Sequence, residues 1–515
     1  MRTKIVVKKN LFFDSVSLMQ LSDKVKSLQN ILEVVILMAT DTNKYLLKDI
    51  DLYEKELDNS TPNDLIIAIK AEDDESLKRA FDYIEVSLTQ KSITNSSQSE
   101  PEIVIQEYAY RVHPDINLVL ISTPGEYAAL EAKKALLSNK HVMIFSDNVK
   151  LEDEIELKDL ALSRGLLLMG PDCGTAMINH IPLGFANEVP AGPIGIIAAS
   201  GSGSQEVASL IAKLGSGITQ LIGVGGRDLN EQVGGKMMLQ ALQSLNNDPE
   251  TKVIVLISKP PAKNVAEKIL NEATKVNKPV VICFLGADNS SQESRNLHFV
   301  KFLEDAALKA VELVTGRKAI YTRFNIYELA KIESAKLNEN QKYIRGLYAG
   351  GTLCDEAIIY LSQEFNTIYS NIHFDNKYKL SDNKISIKDT LLDLGDDEFT
   401  RGKAHPMIDP QYRNIRLLNE SDDPDVAIVL LDFVLGYGAH PDPAGVAIGI
   451  IQKAKEKFMK RNQHLIVIAS ITGTENDPQI LSQQQKKLED AGVICMPSNL
   501  QAVKLAALIK KELIQ

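Results

Sequence analysis

The chain has no tryptophan, and its four cysteines, Cys173, Cys283, Cys354 and Cys495, lie far apart with no C-x-x-C pair. That spacing argues against a disulfide framework or a thiolate zinc site and suits reduced thiols in a cytoplasmic protein. The eight histidines form no H-E-x-x-H, and no metal site is expected. No apolar stretch approaches the ~20 residues a membrane span needs. The start, MRTKIVVKKNLFF, lacks a sustained apolar run and a small-residue cleavage site. Lysine and arginine form no block, and 57 basic against 68 acidic residues leave a net charge of −11. Neither nucleic acid nor an anionic membrane is the expected partner of such a surface.

What is present is the composition of a globular protein, 44% apolar and 24% charged over 515 residues. That length suits roughly three or four domains. Residues 1–90 alternate strand-like runs (Lys4–Val7, Val34–Met38, Leu65–Ile69) with helical stretches such as Glu75–Ser87. They read as a small α/β domain of ferredoxin-like type. The polar, serine-rich segment 91–103 reads as a linker. From there one cadence repeats: apolar strand, small-residue turn, amphipathic helix. The strands include Asn117–Ser122, His141–Phe145, Leu166–Met169, Gly195–Ala199, Val253–Ile257, Val280–Phe284, Val426–Leu431 and Leu465–Ala469. Such alternation predicts several doubly wound parallel sheets of Rossmann or flavodoxin type, with boundaries near 104–190, 191–330 and 331–515. Ligands in open sheets of this kind sit beyond the carboxyl ends of the strands.

The turns there are rich in glycine, hydroxyls and charge. Ser200-Gly201-Ser202-Gly203-Ser204 joins an apolar strand to a helix, presenting unpaired amides at the positive end of the helix dipole. That suits an anion, and the plain alternative is a tight turn with a serine N-cap. Gly170-Pro171-Asp172-Cys173-Gly174 offers Asp172 to a hydroxyl or an amide. Gly225-Gly226-Arg227 adds a guanidinium able to grip phosphate, and Lys259 ends a strand before two prolines. Further on, Gly350-Gly351-Thr352 repeats the first arrangement. Arg401, Lys403, His405 and Asp409 put two cations, an imidazole and a carboxylate within ten residues, suited to an anionic substrate and proton transfer. Gly438 and His440 follow one later strand, and Thr472, Glu475 and Asn476 follow another. For both of these, a connecting turn is an equal alternative. A phosphorylated or acyl-phosphate ligand would use several such turns at once.

On these motifs, residues 117–315 resemble the α subunit of succinyl-CoA synthetase, through Gly170-Pro171-Asp172-Cys173 and Ser200-Gly201-Ser202. Residues 430–510 resemble the carboxyl-terminal domain of its β subunit, through Gly436-Tyr437-Gly438 and the run Ala469 to Asn476. With GGTLCDEA and KAHPMIDP between them, the chain is identified as a member of the FdrA family. The resemblance implies a CoA-binding-like Rossmann domain over 104–190 and a ligase-like domain over 191–330. The synthetase's phosphorylated histidine motif, G-H-A-G-A, has no counterpart after Phe284, and the nearest histidine, His298, is read as lying in the next helix. Lys259 stands where the synthetase has the glutamate that holds its phosphohistidine. The glycine-rich CoA turn is replaced by residues 1–90.

The family association implies a carbamoyltransferase, made with partner subunits, that converts oxalurate and phosphate to oxamate and carbamoyl phosphate in allantoin catabolism. In that scheme Ser200 to Ser204, Gly225, Gly226, Arg227 and Lys259 hold phosphate, while Arg401, Lys403 or His405 binds the carboxylate or moves a proton. No cofactor is required by it. The alternatives are an NDP-forming acyl-CoA synthetase, which would bind CoA and a nucleotide, and a non-catalytic ligand-binding scaffold subunit.

Overall fold

The computed structural model describes every residue except 1, 12, 14, 27, 41–42, 45–46, 48–51, 95–104, 288–295, 321–324, 366, 401–403 and 515. It divides into two units, Met1–Val104 with Thr400–Ala404, and the remainder. In the first, strands β1 (Arg2–Lys8), β2 (Ile31–Met38) and β3 (Leu65–Ala71) form an antiparallel sheet in the order β1-β3-β2. Helices α1 (Ser15–Lys26) and α2 (Asp74–Thr94) follow β1 and β3. The central strand LIIAIKA is buried on both faces. Ile67 and Ile69 pack with Leu18, Val25 and Ile84 of the helices, and Ile66 and Ala68 pack with Leu47, Leu52 and Leu57. That two-sided burial explains why the strand has no polar residue on either face before Lys70. Helix α2 continues to Thr94, past the expected start of the linker at 91. No glycine or proline interrupts the segment before Pro101, and Leu88 is still buried.

The second unit contains three sheets. The first is parallel, in the order β4 (Leu118–Ile121), β5 (His141–Ile144), β6 (Leu168–Met169), with helices α3 (Gly125–Leu137) and α4 (Leu151–Ser163) between them. The second has a hairpin of β7 (Thr175–Ile178) and β8 (Ile181–Gly184), then β9 (Ala191–Ala199), α5 (Gly201–Lys213), β10 (Ile218–Gly223) and α6 (Lys236–Asn247). It continues through β11 (Val253–Ser258), α7 (Lys263–Ala273), β12 (Val280–Phe284), β13 (Leu297–Phe299) and α8 (Leu303–Thr315). His298 therefore lies on a strand, not in the helix expected after Phe284; the run Leu297–Phe299 pairs in parallel with Val280–Ile282.

The third sheet is built from β14 (Tyr343–Tyr348), α9 (Gly351–Glu364), β15 (Tyr369–Ser370), β16 (Thr390–Asp393) and α10 (Gln411–Glu420). It is completed by β17 (Val426–Val434), α11 (Pro443–Met459), β18 (Ile466–Thr472), α12 (Leu481–Asp490), β19 (Ile494–Met496) and α13 (Asn499–Ile514).

The second and third sheets share a plan. Their parallel strands run β10-β9-β11-β12-β13 and β16-β14-β17-β18-β19, the same order, and the equivalent edge is extended in each, by the β7-β8 hairpin beside β10 and by β15 beside β16. In both, the first strand is followed by a helix that opens on glycine, α5 or α9. The helix faces of the two sheets meet. One core holds Ile196, Leu210 and Ile257 from the second sheet together with Ile344, Leu430 and Val503 from the third. At ~25 cal/mol per Å² of buried apolar surface, this shared layer, not the connecting chain, keeps the sheets in place. No described helix is long and apolar enough to cross a membrane. All four cysteines are free, three of them buried.

Candidate anion site at two helix N-termini

Strand β9 ends at Ala199, and Ser200 caps α5 by accepting the amide of Gly203 on its Oγ at 3.1 Å. Strand β14 ends at Tyr348, and Ala349-Gly350 lead into α9. The two helix starts face each other. Ser200 Oγ donates to Thr352 Oγ1 at 2.7 Å, and the amide of Thr352 donates to Ser202 Oγ at 3.3 Å. Glycine makes the approach feasible. A Cβ on Gly203 would stand 2.9 Å from Thr352 Cγ2, and one on Gly350 would stand 2.8 Å from Ser202 Cβ. The first-turn amides of each helix have no carbonyl partner within their own helix. Two positive dipole ends thus point at one place, each worth ~0.3–1 kcal/mol to a bound anion and ~2 kcal/mol when partly buried.

Among the described residues, an ammonium, several carboxylates and an imidazole stand around this point. Lys259, beyond β11, pairs with Asp355 Oδ2 at 2.7 Å; its side chain is 48% exposed and that of Asp355 15%. The protein around Lys259 disfavours its charge, but Asp355 and Asp393 outweigh this and hold the ammonium above its ordinary value. Burial raises Asp355, against the pull of Lys259. Asp393 ends β16, is 7% exposed, and accepts the amide of Gly395 on Oδ1 at 2.9 Å. Burial pushes it up to about 7, with Lys259 opposing and Asp355 adding to the rise. A Cβ on Gly351 would lie 2.5 Å from Asp393 Oδ2, so this carboxyl sits directly against the start of α9.

His405 approaches the same corner. A Cβ on Gly395 would lie 2.5 Å from its Nε2, 2.9 Å from Ala349 O and 3.2 Å from Asp393 Oδ1. Its Nδ1 accepts the amide of Met407 at 3.2 Å, which leaves the ring proton on Nε2. Burial drops its pKa to about 4, so at neutral pH it is an uncharged hydrogen-bond donor. Behind them, Asp432 accepts the amides of Ala349 and Gly350, both at 2.7 Å, and pairs with Arg413 at 3.2 Å.

The other residues expected at the site divide in two. Asp172 lies by Gly226, within the electrostatic reach of Lys259. It is exposed, yet the surrounding protein pushes its carboxyl up to about 6, through burial first and then through Asp147 and Asp397. Gly225 packs against the Pro171 carbonyl, where a Cβ would come within 2.4 Å. Gly201 opens α5, and Ser204 Oγ turns back onto its carbonyl at 2.7 Å.

Elsewhere the polar groups serve structural contacts, most of them local. Arg227 is held by Glu154 at 2.9 Å and by the Val149 carbonyl at 2.8 Å. Asp409 accepts the amide of Gln411, His440 Nδ1 that of Asp442, and Glu475 that of Ser482. The amide of Asn476 donates to Thr474 Oγ1, Thr472 hydrogen-bonds Glu206, and Gly438 packs on Phe185. Arg401 and Lys403 lie outside the described residues.

Sequence reasoning did not select Asp355, Asp393 or Asp432 for the site. The signal was there in part: Asp393 and Asp432 interrupt apolar runs, LLDL and VLLDFV, and a carboxylate inside such a run needs a partner.

Three family profiles match this architecture. Residues 347–509 match the CoA-ligase family, residues 191–286 the CoA binding domain, and residues 1–104 a domain described as AllF, heavy metal-associated. The chain is an enzyme of CoA-ligase-like fold, carrying an AllF-type amino-terminal domain. It is 45% identical over 501 residues to YahF of Escherichia coli (strain K12), covering 97% of each chain, and belongs to the same family as that protein. It is 31% identical to the ADP-forming sulfoacetate-CoA ligase subunit SauD of Bilophila wadsworthia (strain 3_1_6), over 36% of this chain and 64% of that one. Among solved structures, the dinucleotide-forming acetyl-coenzyme A synthetase 1 of Ca. Korarchaeum cryptofilum, in complex with phosphate and ADP, matches at 14% identity and a TM-score of 0.29. That alignment covers 77% of this chain and 83% of the synthetase.

The groups these names suggest meet different receptions. Residues 1–104 contain no cysteine and no histidine, and no described cluster of three acidic, thiol or imidazole side chains can hold a metal ion. The residues therefore do not fit a heavy metal, which takes thiolate or imidazole. Asp64 orders the turn after β1 instead, accepting the Asn10 amide at 2.9 Å and pairing with Lys9 at 3.0 Å. For CoA, the matched segment 191–286 takes in the Ser200–Ser204 run at the start of α5, whereas the β4–α3 turn lies outside that match and offers no built diphosphate cradle. Pro124 caps α3, Glu126 is in its first turn, and a Cβ on Gly125 would lie 2.2 Å from the Asp147 carbonyl.

Proposed function

We propose that this chain is an acyl-transfer enzyme of the CoA-ligase class that holds the phosphoryl group of an acyl phosphate between the N-termini of α5 and α9. The observation that carries this reading is the opposition of the two helix starts, joined by the 2.7 Å Ser200–Thr352 hydroxyl pair. When the acyl carbon–oxygen bond breaks, its electron pair leaves with phosphate. The new charge falls among the first-turn amides, with Lys259 beside them. Asp393, titrating near neutrality, takes the proton lost by the attacking group. His405 donates through Nε2 and is not a base in this tautomer.

A second reading is favoured by the AllF-type profile over residues 1–104. In it, phosphate attacks the carbamoyl carbon of oxalurate, the carbon–nitrogen bond breaks, and Asp393 supplies the proton that the oxamate nitrogen needs. Both readings place phosphate at the same point and part over the acyl acceptor. Titration calorimetry on the full chain tests them, using phosphate, carbamoyl phosphate, oxalurate and CoA as separate ligands. Both readings expect phosphate to bind, more tightly at pH 6 than at pH 8 because Asp393 takes up a proton alongside the anion. A chain that binds neither phosphate nor carbamoyl phosphate removes both. Oxalurate binding without CoA binding selects the second reading.

A further inference from the structure

The two facing helices carry glutamates at matching places, Glu206 on α5 and Glu356 on α9, six residues into each helix when counted from Gly201 and Gly351. Both are 1% exposed. Each reaches across to the opposite sheet's last helix. Glu356 Oε1 accepts the amide of Leu303, the first residue of α8, at 2.8 Å. Glu206 Oε1 accepts the amide of Asn499, the first residue of α13, at 3.0 Å. The caps are therefore exchanged: the third sheet's helix caps α8, and the second sheet's helix caps α13.

Asn499 joins these two exchanges. While its backbone amide serves Glu206 on α5, its Nδ2 donates to Leu353 O at 2.9 Å and to Glu356 Oε2 at 2.8 Å on α9. It is 1% exposed, so water does not substitute for a missing partner there. We propose that Asn499 is a positioning residue that sets the separation of the α5 and α9 N-termini and, through it, the fit of an anion between them. The proposal rests on the phosphate site described above. One residue thereby links two helices from different sheets at a point one to two turns behind the site.

The link is lopsided. The contact to α5 is made by backbone and survives substitution, whereas the contact to α9 is made only by the side chain. Asn499→Ala is thus expected to loosen α9 and spare α5. Hydrogen exchange followed by mass spectrometry on the full chain reads this directly. Amides 352–356 are expected to exchange at least about tenfold faster, with 203–207 and the strands β11 and β17 unchanged. The phosphate dissociation constant is expected to rise about tenfold or more, a loss of ~1.4 kcal/mol.

Asn499→Asp sets a carboxylate against Glu356 and is expected to weaken phosphate binding further. Adding Glu356→Gln restores one donor–acceptor pair with the roles reversed and is expected to recover part of the lost affinity, the Leu353 carbonyl staying without its donor. A structural role alone would not single out α9. Uniform acceleration of exchange across the second unit, or unchanged exchange at 352–356, overturns the proposal. If the parent chain binds no phosphate, the anion site falls and the exchange pattern alone decides the role of Asn499.

Discussion

The starts of α5 and α9 are the same local device in two surroundings. At α5 no acid lies in the first turn, the Gly203 amide is met by the Ser200 hydroxyl, and the Ser204 hydroxyl donates to the Gly201 carbonyl. At α9 the approach is dominated by carboxylates: Asp432 occupies the amides of Ala349 and Gly350, and Asp393 presses against Gly351. A strand feeding a helix through glycine fixes where a charge is welcome, but the neighbours decide whose charge it is. In the proposed reading the α5 end receives the ligand. The α9 end already has fixed negative partners, and one of them, Asp393, gives up its proton only near neutral pH. On that reading an anion receptor lies beside a proton carrier, and Lys259, paired with Asp355, offsets the negative charge.

The largest effect should come from removing that offset. Lys259→Ala is expected to slow turnover ~10²-fold or more by leaving the departing phosphate without its cation. Steady-state rates with the parent's own substrate measure this, and near-parental rates would make Lys259 a partner of Asp355 only. Paired glycine substitutions sharpen the contrast between the ends. Gly351→Ala drives a Cβ to 2.5 Å from Asp393 Oδ2 and should cost ~1–3 kcal/mol. At the matching place on α5, a Cβ on Gly201 meets only Thr175 Oγ1 at 3.5 Å, so Gly201→Ala should be neutral or slightly stabilising. Denaturant midpoints of the two variants give the comparison.

A smaller effect concerns pH. The folded carboxyl of Asp393 lies at about 7 against an ordinary 3.8, so the folded chain binds the extra proton between those values. Its contribution to stability is complete at the acid end and lost as pH rises through about 7, with a slope of at most ~1.4 kcal/mol per pH unit. Asp393→Asn should flatten that part of a stability–pH profile recorded from pH 5 to 8.5. Ser200→Ala comes last. Losing one N-cap and one hydroxyl pair should cost ~1 kcal/mol and weaken phosphate binding modestly, which thermal melts and calorimetry together report.

Much of the scaffold was legible in the sequence because parallel strands buried on both faces announce themselves as apolar runs: Gly195–Ala199 lies within β9, Val253–Ile257 within β11 and Val280–Phe284 spans β12. The Ser200–Ser204 run stood out as small residues after an apolar strand, but only Ser200 lies between β9 and α5, and Gly201 to Ser204 form the first turn of the helix because Ser200 caps it. His298 was misplaced because a three-residue edge strand carries too little periodicity to be told from the beginning of a helix. The carboxylates of the site were harder. Asp393 and Asp432 acquire meaning only from Gly351, Gly350 and Arg413, and no local pattern reports that Thr352 lies within hydrogen-bond reach of Ser200. Such pairings depend on two sheets meeting through their helix faces, which is a property of the assembled core.

That common core has a further consequence. Because residues from both sheets fill one interior, neither half is a complete solute by itself, and each serves as the other's missing surface. Carrying both on a single chain fixes their ratio at one to one and spares the cell a search for a mate at low concentration. A site assembled from two separate folds is thereby inherited, expressed and turned over as one object.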